Sequence, residues 1–173
     1  MNQTVAKLIN EQINKEFYSA YLYLDFANYY AQVGLDGFEN WYKVQAQEEQ
    51  DHARIFMNYI LSRDAEVKLL PIEEVRTKWA SPLEMFQDTL KHEKEVTAMI
   101  NNLAAIAAGD KDYASSNMLV WFVDEQVEEE ESARDMITAC EAVEGNKFGL
   151  YMLDKELAAR TYTQASPLAT ANA

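Results

Sequence analysis

The segment Phe38–Tyr59, FENWYKVQAQEEQDHARIFMNY, decides how the rest of the chain is read. At alternating steps of four and three it yields Phe38, Tyr42, Gln45, Glu49, His52, Phe56 and Tyr59, one stripe along an α-helix. The stripe is aromatic at both ends, so it faces a core, yet its middle is polar. Glu49-x-x-His52 sets a carboxylate and an imidazole one turn apart on that face.

The same steps give three more stripes. The first helix reads Ile9, Ile13, Glu16, Ala20, Tyr23, Ala27, Tyr30; the third reads Leu83, Phe86, Leu90, Glu93, Thr97, Ile100, Ala104; the fourth reads Leu119, Phe122, Gln126, Glu129, Ala133, Met136, Cys140. Every polar interruption falls about 11 to 17 residues into its helix, which at ~1.5 Å per residue is one common level. Four helices therefore aim four glutamates, one histidine and one glutamine at one place.

The helix limits follow from local chemistry. Gly34 ends the first helix near Val33, and Asp36 with Glu39 is an aspartate form of the capping box that starts the second, which runs to about Arg63. Ser81-Pro82-Leu83-Glu84 starts the third, which ends at Gly109; the fourth spans about Asp112 to Glu144 before Gly145, and a short fifth covers about Leu150 to Arg160. Between helices two and three lies a link, Asp64–Ala80, with room for a helical turn or two over Ile72–Trp79. A link of about 17 residues reaches ~55 Å, enough to return along helices ~42 Å long. The expected architecture is an all-α four-helix bundle with one long crossover and a short fifth helix, one domain over residues 1–160. Residues 161–173, rich in Ala and Thr, are expected to be a mobile tail.

Composition narrows the partners. A formal net charge of −14 argues against nucleic acid and for cations. The single cysteine, Cys140, forms no intrachain disulfide and fits a reducing compartment, while the N-terminus lacks the charged and apolar regions of a secretory signal, so the cytoplasm is expected. No run approaches the ~20 apolar residues that span a bilayer.

A carboxylate ionised alone in a core is costly, and four together repel one another or take up protons. The stripes offer no Lys or Arg at that level, so metal cations are the economical compensation, and carboxylate with imidazole suits iron, manganese or zinc. Glu16 or Glu93 alone reads more often as a misassigned helix face, and His52 alone as a hydrogen-bonded core histidine. The coincidence of four helices at one height points to metal. A non-enzymatic adaptor or structural bundle is the competing class, and it has no reason to keep four carboxylates at one core level. His92, about 100° around the helix from Glu93, is expected to be a packing or surface residue, and burial is the expectation for Trp41, Trp79 and Trp121.

Asn10-Glu11-Gln12-Ile13-Asn14-Lys15-Glu16-Phe17-Tyr18-Ser19, Ala46-Gln47-Glu48-Glu49-Gln50-Asp51-His52, Lys91-His92-Glu93 and Glu125-Gln126-Val127-Glu128-Glu129-Glu130 closely resemble the motifs of prokaryotic non-haem ferritins of the bacterial ferritin A type. The resemblance covers about residues 4 to 160 and includes Leu150-Tyr151-Met152-Leu153-Asp154-Lys155-Glu156-Leu157, which looks like the family's final helix. It implies that Glu16, Glu49 and His52 hold one iron, that Glu49, Glu93 and Glu129 hold a second, and that Glu49 bridges them. Gln126 then lies beside the pair, and Tyr23 neighbours the irons as a donor of an electron or hydrogen bond, although it reads equally as an aromatic spacer. A third iron is implied at Glu48, Glu125 and Glu128 with Glu129 shared; the run Glu128–Glu131 also reads as a solvated face.

The resemblance further implies ferroxidase activity, oxidation of Fe(II) by O₂ or peroxide with storage of the ferric mineral, in a 24-subunit cage. It implies no haem. Gln50 stands where bacterioferritin has its haem-ligating methionine, and Gln126-x-x-Glu129 replaces that family's second Glu-x-x-His. One cysteine excludes the rubredoxin module of rubrerythrin, and the fifth helix is absent from Dps-like mini-ferritins.

Overall fold

A computed structural model describes residues 1–75, 78–79 and 81–169. It contains α1 (Gln3–Val33), α2 (Asp36–Ser62), α3 (Pro82–Gly109), α4 (Tyr113–Ala142), α5 (Lys147–Leu157) and a single turn, α6 (Ser166–Ala169). No strand occurs among the described residues, and no helix among them is long and apolar enough to cross a membrane.

Several ends form as their residues dictate. Gly34 takes the left-handed conformation (φ 75°) and its N–H donates to Tyr30 O, closing α1. The Ser81 hydroxyl accepts from the Glu84 N–H at 3.1 Å with Pro82 as the first helical residue. Asp112 caps α4 through the Ser115 N–H at 3.2 Å, and Gly145 (φ 72°) lies in the turn that follows α4.

Other ends differ from expectation. Asp36 makes no capping box, because the tight turn at Gly34 starts the helix at Asp36 itself, leaving Leu35 as an N-cap without a side-chain bond. The cap comes from far along the chain: Asp154 Oδ1, on α5, accepts from the Gly37 N–H at 2.7 Å and the Phe38 N–H at 3.3 Å. A carboxylate there also meets the positive end of the helix dipole. α3, by contrast, ends at Gly109 as expected, and the left-handed residue that follows it is Lys111 (φ 56°). Asn146, which accepts from the Gly149 N–H at 3.0 Å, starts α5 three residues before the expected Leu150, and the helix stops at Leu157. The turn expected over residues 72–79 does not form in the described part of the link; Trp79 instead packs edge-on against Phe26, ring centres 4.5 Å apart.

The tail does not hang free over residues 161–169. The Tyr162 hydroxyl donates to Asp51 Oδ2 at 2.6 Å, the Ala165 N–H donates to the same oxygen at 3.1 Å, and Leu168 is buried against the bundle. Asp51, itself buried, holds this segment on α2, a contact that no local pattern in the tail announces. Residues 170–173 lie outside the described residues.

Cross-helix contacts fix the topology. Gln45 meets Glu129, Phe56 stacks on Phe122, and Tyr59 meets Ser115, so α2 and α4 run in opposite directions. A short turn makes α3 and α4 antiparallel as well, so α2 and α3 are parallel and the link is the single crossover. Phe38 against Phe86 and Tyr42 against Thr89 agree with that register. The core is in two parts. Tyr30, Phe38, Tyr42, Phe86 and Cys140 pack at one end, and Val5, Ile9, Phe56, Leu119 and Phe122 at the other. Each large apolar side chain contributes roughly 1.5–3 kcal/mol by burial, which offsets the cost of the polar layer held between the two clusters. Burial pushes the Cys140 thiol up to about 12, so it behaves as a small hydrophobe.

Candidate metal centre

Glu16 from α1, Glu49 and His52 from α2, Glu93 from α3, and Gln126 and Glu129 from α4 occupy that polar layer, all buried. One oxygen each from Glu16 and Glu49 and one ring nitrogen of His52 lie within 4.8 Å of one another, as do ligand atoms of His52, Glu125 and Glu129. His52 Nδ1 is 3.3 Å from Glu49 Oε2. His52 Nε2, 3.5 Å from Glu125 Oε1, is fully buried and makes no hydrogen bond. A buried nitrogen whose nearest partner is beyond good hydrogen-bond reach is a costly arrangement, and a metal ion taken up in place of its proton relieves it.

Neutral donors orient the carboxylates. Gln12 Nε2 donates to Glu16 Oε1 at 2.8 Å, Gln45 Nε2 to Glu129 Oε2 at 2.5 Å, and Gln126 Nε2 to Glu93 Oε2 at 3.2 Å. The Tyr23 hydroxyl donates to Glu93 Oε1. Gln126 is thus a group that aims Glu93, and Tyr23 is a hydrogen-bond donor on the site's edge. Gln12 escaped the sequence reading, although its place four residues before Glu16 is a helical signal. Arg160 escaped it altogether: it comes from beyond α5 and bonds Glu48 Oε2 at 2.6 Å.

Of the residues expected to form a third site, Glu125 leans on His52, Glu48 is engaged by Arg160, and Glu128 is exposed. His92 is no part of the polar layer; its Nε2 lies 2.7 Å from Ser19 Oγ, with the rings of Tyr18 and Tyr23 about it. Trp41 and Trp79 are buried, while Trp121 is partly exposed beside His52.

Crowding governs the electrostatics. Burial, with the Glu93 carboxylate adding to it, holds the Glu129 carboxyl up to about 8, and burial raises Glu16 and Glu93 and pushes Glu49 well above the usual range. Burial lowers His52, but the Glu49 carboxylate and its other acidic neighbours outweigh it and hold the imidazolium well above 6.5. These groups bind protons more tightly folded than unfolded. Their contribution to stability is full below the unfolded carboxylate value, near 4.5 for Glu129, and is lost as pH rises through about 8. A metal ion displaces the same protons. Anaerobic binding of Zn(II) to the metal-free protein at pH 7 is therefore expected to release protons, read from the dependence of the binding enthalpy on buffer, with release from Glu129 fading above pH 8. Binding enthalpies independent of buffer would show that the carboxylates were already ionised.

A crossover four-helix bundle with a carboxylate–histidine layer at mid-height defines the ferritin-like class. Comparison with known proteins agrees: the ferritin-like domain family matches residues 6–143. Bacterial non-heme ferritin of Staphylococcus aureus (strain USA300) is 36% identical over 164 residues, 95% of this chain and 99% of that protein. The protein of the same name from Bacteroides fragilis (strain 638R) is 36% identical over 160 residues, 92% of this chain and 99% of its own. Among solved structures, an open pore ferritin from the hyperthermophilic archaeon Archaeoglobus fulgidus superimposes with a TM-score of 0.91 at 43% identity, covering 93% of this chain and 99% of that one. The chain belongs to the ferritin family, and iron storage is its function.

Proposed function

We propose that the chain is a ferroxidase, oxidising two Fe(II) ions at one centre within each subunit and passing the ferric product to a mineral enclosed by a 24-subunit homo-oligomeric cage. The observation that carries this reading is the fully buried layer in which Glu16, Glu49 and His52 offer converging ligand atoms while His52 Nε2 has no hydrogen-bond partner. Glu16, Glu49 and His52 would hold one Fe(II), and Glu49, Glu93 and Glu129 the other. Glu49, between them, would be the bridge. Each iron gives one electron to a shared O₂, or to peroxide, and hydrolysis of the Fe(III) product releases protons. Four carboxylates favour Fe(III) over Fe(II), and two irons held side by side make the two-electron step a local event. Tyr23 and Gln126 keep Glu93 aimed at the pair.

Glu48, Glu125 and Glu128, with Glu129 shared, would take a third iron. The cytoplasm, where thiols stay reduced, suits the single buried Cys140. Anaerobic Fe(II) titration followed by exposure to air tests the central claim. The expected result is about two tightly bound irons per chain and their rapid oxidation, with a large iron-filled particle after repeated additions; a protein that neither binds the pair nor oxidises it refutes the reading. No haem is part of it. Protein purified from iron-replete cells is expected to show no Soret band, since the Gln50 side chain donates to Ala46 O at 3.1 Å and offers no thioether.

A further inference from the structure

Arg160 makes more polar contacts to the surroundings of the centre than any residue the reaction scheme uses, and it lies outside the four long helices. Both terminal nitrogens of its guanidinium donate to Gln45 Oε1 at 3.0 Å; one also donates to Trp41 O at 3.1 Å and the other to Glu48 Oε2 at 2.6 Å. Its Cζ lies 4.5 Å from the centre of the Trp41 ring. Only a planar fork satisfies an amide oxygen, a carboxylate and an aromatic face together. Two consequences follow. The Gln45 amide has one accepting end and one donating end, and with Oε1 taken by Arg160 its Nε2 is turned onto Glu129, at 2.5 Å. The Glu48 carboxylate, meanwhile, already has a cation.

We propose that Arg160 is a positioning residue that stands in for a metal ion at Glu48 and aims Glu129 through Gln45, so that a cation fills the outer site of Glu48, Glu125 and Glu128 only by displacing the guanidinium. The inference rests on the two-metal reading of the inner centre. Arg160 does not diffuse away when a metal competes: Tyr162 and Ala165, bonded to Asp51, tether the segment that carries it. The outer site therefore loads late and weakly, and the inner pair first.

Anaerobic calorimetric titration of the full-length protein with Zn(II), which cannot be oxidised, separates the possibilities. In the wild type, two tight ions and a weaker third are expected. Arg160→Ala tightens the third by about tenfold or more, since a competing charge is gone, and weakens one of the inner pair several-fold as Glu129 loses its orientation. Arg160→Lys keeps a charge at Glu48 without the fork for Gln45, so the third ion stays weak while the inner pair still loosens. A folded Arg160→Ala protein with a third site unchanged from wild type overturns the proposal. Should Arg160→Ala fail to fold, Arg160→Lys decides it, because wild-type binding of the inner pair in that variant is equally fatal. A wild-type protein that binds no inner pair brings down the two-metal reading itself, and this inference with it, a result distinct from an intact pair with an unaltered third site.

Discussion

The Glu49→Ala protein is expected to lose rapid Fe(II) oxidation altogether while remaining folded. A Glu49 oxygen lies within 4.8 Å of ligand atoms of both Glu16 and His52, and in the proposed scheme Glu49 alone touches both irons. Its loss costs both sites at once, whereas His52→Ala weakens mainly one. Stability moves differently. Burial pushes the Glu49 carboxyl well above its usual range; the His52 imidazolium pulls it back, and Glu93 and Glu16 raise it further. Removing it relieves that crowding and leaves a cavity worth roughly 1–3 kcal/mol in the opposite sense, so the net change is modest. Stopped-flow oxidation at two Fe(II) per subunit, with thermal melts of the metal-free protein, reads both quantities. Wild-type rates in a folded Glu49→Ala protein would contradict the proposed mechanism, and a collapse of the melt would contradict the account of its stability.

The second large effect lies far from the metals. Gly37 is in the first turn of α2, where the helix propensity of Ala would favour Gly37→Ala by about 1 kcal/mol. The expected outcome is the reverse. A Cβ at Gly37 would stand 1.6 Å from the backbone oxygen of Asp154 and 2.6 Å from its carbonyl carbon, and backbone in the last turn of α5 cannot step aside as a flexible side chain does. To accept the methyl, α5 must lift from α2. That breaks the Asp154 cap on the Gly37 and Phe38 N–H groups and pulls on the segment that delivers Arg160 to Gln45 and Glu48. A destabilisation of about 3 kcal/mol or more is expected, which for a domain this size is roughly 6–12 °C in Tm. Limited proteolysis should then cut first within residues 146–169. A Gly37→Ala protein as stable as wild type, with α5 equally protected, would mean that the close approach is readily relaxed.

The contrast between these two positions marks what each level of description supplies. Glu16, Glu49, His52, Glu93, Gln126 and Glu129 were legible because each sits on a helix whose buried face repeats with a fixed period. A polar residue on that face is visible without knowing what it meets, and equal depth along four helices brings the six together. The same periodicity, with Gly34, Ser81-Pro82 and Gly145 as punctuation, set the α1 end, the α3 start and the α4 end closely, and the length of the crossover set the direction of α3. What remained illegible was everything held by contacts between segments distant in sequence. The cap on α2 comes from Asp154 because the turn at Gly34 left no local residue in place to supply it. The tail past Leu157 has no apolar repeat, yet Asp51 and the buried Leu168 fasten its described part to the bundle. Arg160 carries no periodic signal at all; its guanidinium reaches Glu48 and Gln45 only because α5 folds back across the start of α2. By itself the sequence determined the bundle and the polar layer, since both follow from helical period and depth. Tertiary structure alone decided which groups from outside the bundle orient that layer, because their partners are more than 100 residues away, a separation no local pattern encodes.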